Sequence, residues 1–244
     1  MAFPTHSRRY AAATVAAFAL AACGGGGSDS PAPSTSAATT FPLAAAMANL
    51  LKEGKATAFT VTGTASGNGQ VVAVSGSGTS IESNTAGTFS GVAALVKSIR
   101  VTGTLEARGT AISLGDTTTT QYFDSNYKPL GVLSPLGYCV NSAQTALPAT
   151  VRIGDTGEYY TSTCYTNSAK TTLIGTSKVS YALESATETT AIFRLLFKSV
   201  TAGTSIAPVT SNYVISTNGN LVRGDSPLLL TVSGVTLDLV FKYQ

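Results

Sequence analysis

The chain has 244 residues and a mass of 24.7 kDa, with 43% hydrophobic but only 11% charged residues. Fifteen Lys and Arg against twelve Asp and Glu give a net charge of +3, with no basic patch to bind nucleic acid. The only histidine is His6, inside a segment expected to be removed, so the mature chain has no imidazole. That excludes Ser-His-Asp and Cys-His catalysis and histidine-ligated zinc.

Arg8 and Arg9 precede the apolar run Ala11 to Ala22. A basic start, an apolar segment of about 7–15 residues and small residues at its end are the layout of a secretory signal. The run is too short, at about 1.5 Å per residue, to cross a hydrocarbon core of about 30 Å. Leu20-Ala21-Ala22-Cys23 then resembles the lipobox of bacterial lipoproteins. The resemblance implies removal of residues 1–22 and acylation of Cys23 on its sulfur and its new amine. Cys23 is therefore the expected lipidation site, and the membrane, reached through this anchor, is the expected partner. In that family an aspartate after the cysteine tends to retain the protein in the inner membrane. Gly24 stands there instead, which implies a cell-envelope location at the outer membrane, facing the periplasm or the surface. One acyl chain binds only marginally at about 0.8 kcal/mol per buried CH₂, whereas several chains hold for good. Loss of Arg8 and Arg9 lowers the net charge from +3 to +1.

Residues 23–40 form an expected lipid anchor and tether of Gly, Ser, Thr, Pro and Ala, a composition that buries no core. Thr39 or Thr40 is placed to cap a short helix, with Pro42 in its first turn and Gly54 beyond its end. Leu43, Met47, Leu50 and Leu51 make one apolar stripe, read as the face of a helix covering one end of a sheet.

From there the pattern is of strands. Thr57 to Ser66, Asn68-Gly69 and Gln70 to Ser80 read as a hairpin, since both turn residues tolerate positive φ. Further strands are expected at Thr88 to Leu95, Ser98 to Ala107, Thr110 to Leu114 and Thr117 to Phe123. Asp124 to Pro148, with Pro129, Gly131, Pro135 and Gly137, reads as a long connection. Glu158 to Thr166, Thr171 to Glu184, Thr189 to Thr201 and Thr204 to Thr217 follow as long alternating runs. Asn218-Gly219 turns the chain into Asn220 to Arg223, Leu228 to Ser233 and Val235 to Tyr243. The expected fold class is all-β: residues 41–244 as one antiparallel meander forming a barrel, half-barrel or sandwich, with one short N-terminal helix. Ile192, Leu196, Val235, Leu237, Leu239 and Phe241 are expected on the apolar face of that sheet, packed into a filled interior.

Cys139 and Cys164, an even pair in an exported chain, read as a disulfide because that compartment is oxidising. The stretch from Tyr122 to Cys164, with the glycine-run anchor, resembles uncharacterised lipoproteins of Gram-negative bacteria, a family that implies no activity.

Several patterns invite chemistry. Ser125-Asn126-Tyr127-Lys128 resembles the S-x-x-K motif of penicillin-interacting serine enzymes, but Pro129 follows and no S-D-N or K-T-G accompanies it. Glu184 with Glu188, and Asp155 with Glu158, are carboxylate pairs of the kind a glycoside hydrolase needs in a cleft. Both flank turns, where carboxylates are ordinarily just solvated. Asp124, Ser125 and Asn126 offer oxygens to calcium, but too few. Tyr122, Phe123, Tyr127, Tyr138, Tyr159, Tyr160 and Tyr165 surround the cysteine pair and could stack on a ligand or pack a core. No catalytic residue, metal ligand or cofactor is assigned. The reading is a non-enzymatic structural or partner-binding envelope lipoprotein; the alternatives are a carrier of an apolar ligand in a curved sheet and a carboxylate-dependent hydrolase.

Cys23→Ser should abolish incorporation of radiolabelled palmitate. Mass spectrometry that finds the mature wild-type chain with an unmodified Cys23 would refute the anchor.

Overall fold

Val, Ile, Thr and aromatic residues alternating with Ser and Gly suit pleated, half-buried strands. In the computed structural model that pattern carries most of residues 39–244 into one sheet. The structure describes these residues apart from 136, 202–203 and 233–234, and the side chains of 201, 204–207 and 232 are likewise outside it. The signal segment, Cys23 and all of the tether but Thr39 and Thr40 lie outside the described residues.

Helix α1 (Leu43–Lys52) precedes β1 (Ala56–Gly67), β2 (Gln70–Phe89), β3 (Val92–Ala107) and β4 (Thr110–Phe123). There follow β5 (Pro129–Ser134), β6 (Gly137–Ser142), β7 (Thr156–Tyr165), β8 (Leu173–Ser185) and β9 (Thr190–Thr201). The last strands are β10 (Thr204–Ser216), β11 (Leu221–Arg223), β12 (Ser226–Val232) and β13 (Val235–Tyr243). All pair antiparallel in a single layer, ordered β11-β10-β9-β8-β7-β6-β5-β4-β3-β2-β1-β13-β12. This is the expected meander, and it is one sheet rather than a sandwich.

The ladder does not close, yet its two ends are consecutive in the chain. β11 pairs with β10 and β12 pairs with β13, and only Gly224 and Asp225 separate them. The Gly224 amide donates to the Asn212 carbonyl at 2.8 Å, and β12 packs beside β10. The sheet therefore curls until its edges meet, leaving a seam at this kink.

Side-chain parity puts one face of every strand inward. Towards one end, Phe59, Val61, Val74 and Leu239 pack together and are buried. Gly78 makes room for them: a Cβ there would stand 2.4 Å from Cζ of Phe59. At the other end α1 lies across the opening. Its Leu43, Met47 and Leu51 are buried with Phe123, Val179, Leu183 and Phe193. Burying side chains of this size contributes about 1.5–3 kcal/mol each, which holds a helix too short to stand alone. Phe41 latches the helix entrance by exchanging backbone hydrogen bonds with Val151, at 2.8 and 2.9 Å.

The structure corrects several expectations. The N-cap is Pro42, with no side-chain cap from Thr39 or Thr40, and Glu53 ends the helix in extended geometry. Thr88 to Leu95 is not a strand but spans the β2–β3 turn, where Ser90 and Gly91 have φ of 50° and 84°. Thr110 to Leu114 and Thr117 to Phe123 are one strand, bulged where its register against Gly103 shifts. The long connection contains the β5–β6 hairpin. Pro129 opens β5, where a missing N–H is tolerated, and Gly131 lies beneath the Phe89 ring. On β9 the inward set is Ala191, Phe193 and Leu195, not Ile192 and Leu196. Arg194 pairs with Glu184 on the opposite face and fixes that parity, and a one-residue error in parity inverts a strand. On β13, Leu237, Leu239 and Phe241 do face inward, whereas Val235 is exposed.

Cys139 and Cys164 face each other in register across β6 and β7 and form the disulfide. In the chain-entropy view a loop of this length is worth about 3–4 kcal/mol. Cys139→Ala/Cys164→Ala should lower the unfolding free energy in urea by about that amount. An unchanged midpoint would show the bridge to be structurally idle.

Candidate functional site

Between the packed end and α1 the interior is not filled. A cavity of about 710 Å³ remains, within the range of about 300–1,000 Å³ usual for small-molecule sites. This corrects the expectation of a filled interior, and the cause is visible in the strands. Ser162, Ser177 and Ser211 occupy inward positions on β7, β8 and β10. They stand where the same rows elsewhere carry Val179, Leu195 and Phe193, so these strands lack the side chains that would close the space.

One wall is apolar: Leu50 and Leu51 from α1, with Phe123, Val179, Leu195 and Phe197 from the sheet. The polar part of the lining comes from Glu82, Lys97, Tyr160, Tyr213, Arg223 and Tyr243, with Tyr160 directly beside Val179 across β7 and β8. Glu53, Lys55, Asn220 and Gln244 also line the cavity yet are exposed, so they mark its mouth, beside the C-terminal end of α1.

The polar wall is built around Glu82. Its Oε2 pairs with Lys97 Nζ at 2.7 Å and its Oε1 with Arg223 Nη2 at 2.8 Å. The Lys97 and Glu82 side chains are 3% and 10% exposed, which makes this a buried pair. Lys97 Nζ also donates to the carbonyls of Leu50 and Glu53, at 3.2 and 3.1 Å. Asn84 Nδ2 donates to the Leu51 carbonyl at 2.9 Å. The carbonyls at a helix C-terminus lack intrahelical partners and carry partial negative charge, so a cation there satisfies both needs. The Arg223 guanidinium lies over the Tyr243 ring, 4.9 Å from its centroid, an attractive cation–π arrangement. Tyr213 stands directly opposite Arg223 across β10 and β11.

Burial raises the phenol pKa of Tyr159, Tyr160 and Tyr213 above the ordinary value. The neighbouring Tyr213 adds to the effect on Tyr160. These hydroxyls therefore stay protonated at neutral pH and remain available as donors.

The candidates read from the sequence fall in different places. Phe123, Tyr159 and Tyr160 line the cavity, whereas Tyr122 and Tyr138 stack on Phe89 away from it, at 4.7 and 5.2 Å. Tyr127 lies under Lys52 of the helix, 5.3 Å from the ring centroid, and Tyr165 pairs with Tyr138 across β6 and β7. Of the disulfide, Cys139 lines the cavity wall. Asp124 spends Oδ1 on the amides of Asn126 and Lys128, at 2.8 and 2.9 Å, which organises the turn holding Ser125. Asp155 accepts from the Arg152 amide at 2.8 Å, and Glu158 pairs with the exposed Lys178. Glu184 pairs with Arg194 at 2.8 Å. Neither carboxylate pair lines the cavity, whose acids are Glu53 and Glu82. Among the described residues no cluster of three or more His, Cys, Asp or Glu is placed to hold a metal, and no helix is long and apolar enough to cross a membrane.

No protein-family model, no curated protein and no solved structure matches this chain.

The tyrosines give a pH signature. A phenol whose pKa is raised on folding holds its proton longer in the folded state, so its contribution is complete below the unfolded value of 10.0. It is lost as pH rises towards the folded value. The urea midpoint should therefore fall above about pH 10, and less steeply in Tyr159→Phe/Tyr160→Phe. Equal slopes in the two proteins would count against this assignment.

Proposed function

We propose that the protein is a non-enzymatic, lipid-anchored envelope protein that carries an apolar or amphipathic ligand inside its curled sheet. The observation that carries this reading is the unfilled interior, with its apolar wall, its polar wall and the helix across its end. A concave space of this size, largely apolar with a few convergent polar groups and a mouth to solvent, has the usual form of a small-molecule site. The hydrolase alternative finds no support here. It needs two acids converging on one bond, and Glu82 has both oxygens committed to Lys97 and Arg223. The anchor at Cys23, with a short polar tether, would hold such a carrier near the lipid from which a ligand could come.

Organic extracts of the purified protein should contain a co-purifying lipid, identified by mass spectrometry. Ser177→Phe and Ser211→Phe, which grow into the cavity, should reduce its yield without lowering thermal stability. An empty extract, together with no uptake of added amphiphile by the delipidated protein, would overturn the carrier reading.

A further inference from the structure

We infer that the ligand is an amphiphile with an anionic head, a carboxylate or phosphate, seated against Arg223 between Tyr213 and Tyr243. This rests on the carrier reading and deepens it. The argument is a count of charge and of hydrogen-bond donors on the polar wall. Lys97 has three N–H donors, and all are spent, on Leu50, Glu53 and Glu82. Glu82 has both oxygens engaged. Arg223 has five donors in a planar fork, of which Nη2 meets Glu82, while the guanidinium lies over the Tyr243 ring. Of the three groups in this buried ion-pair network, Arg223 is the one with donors left over, and it lines the cavity.

The charges lead to the same residue. Lys97 and Arg223 outnumber Glu82 by one. The α1 C-terminus, against which Lys97 sits, offsets about half a charge. The mouth carries Glu53, Lys55 and the chain's last residue, Gln244, all exposed and therefore solvated. Glu82 is thus one carboxylate shared between two cations, and an anion placed at Arg223 would meet a guanidinium that is only partly neutralised. Tyr213, opposite Arg223, adds a neutral hydroxyl donor. Leu50, Val179, Leu195 and Phe197 line the same cavity with apolar surface and suit the hydrocarbon part.

The test is calorimetric titration of the delipidated full-length protein with four probes of one chain length: laurate, dodecyl phosphate, dodecanol and dodecyltrimethylammonium. A charge-assisted hydrogen bond should favour the two anions over dodecanol by about tenfold or more, with the ammonium weakest. The order of laurate and dodecyl phosphate identifies which anion the site is built for. Arg223→Gln should bring laurate down to the level of dodecanol, and Arg223→Lys should restore part of the preference. Equal binding of laurate and dodecanol by the wild-type protein would overturn the anionic head and leave the carrier reading standing. Binding of none of the four would overturn both. The wild-type comparison decides the matter even if Arg223→Gln fails to fold.

Discussion

Glu82 holds together parts of the molecule that the backbone leaves apart. The sheet is one open ladder, and among the described residues no strand pairing joins β10 to β12 across the seam. Through its two oxygens, Glu82 on β2 reaches Arg223 at the seam and Lys97 beneath the helix. Lys97 in turn binds the last carbonyls of α1. One carboxylate thus ties the lid, the long β2–β3 hairpin and the edge of the sheet into a single arrangement. A buried pair of this kind is weak as a source of net stability, because desolvation offsets most of the attraction. Breaking it is another matter: a lone buried charge costs about 3–5 kcal/mol.

The interior divides according to what stands on the inward rows. Around β1, β2 and β13, Phe59 settles onto Gly78 and the space is filled by aromatic and aliphatic groups. Around β7, β8 and β10, serines take the inward positions and the space stays open. The packed core and the cavity thus differ in the volume of the side chains on the inward rows. The disulfide joins β6 to β7 in register, with Cys139 on the cavity lining.

The strands and most hairpins were legible because they rest on local chemistry. Asn68 and Gly69 take φ of 49° and 74°, as a two-residue turn requires, and Pro42 and Phe41 sit where the helix begins. Parity was less legible. Ile192 and Leu196 are as apolar as Phe193 and Leu195, and only the partner of Arg194 decides which set faces in. The polar wall was missed although a signal existed. Lys97 lies in phase with Leu95, Ile99 and Val101, and Arg223 in phase with Leu221, so each charge sits on the apolar rows of its own strand. A charge in that phase marks a buried ion pair, because it must find a partner inside. The partner is what the sequence alone withholds: Glu82 and Arg223 are 141 residues apart.

The two ends of α1 are held by different physics, and the difference bears on access to the cavity. At its entrance Phe41 and Leu43 are almost fully buried and the chain is pinned to Val151 by paired backbone hydrogen bonds. Releasing that end exposes large apolar side chains. At its exit the helix is held by Lys97 and Asn84 on the last carbonyls, and here Glu53 and Lys55 already meet solvent. Releasing this end uncovers Leu51 and gives up the bonds to Lys97 and Asn84. It leaves Phe41 and Leu43 in place, so less apolar surface is exposed than at the entrance. The cavity opens at the same place. Opening should therefore proceed as a fraying of the last turn of α1, with its first turn fixed as the pivot. In that motion Leu50 and Leu51, which belong to the apolar wall, move together with the carbonyls that Lys97 binds. The polar and apolar walls are thus coupled through a single helical turn, and a ligand that touches both holds that turn closed.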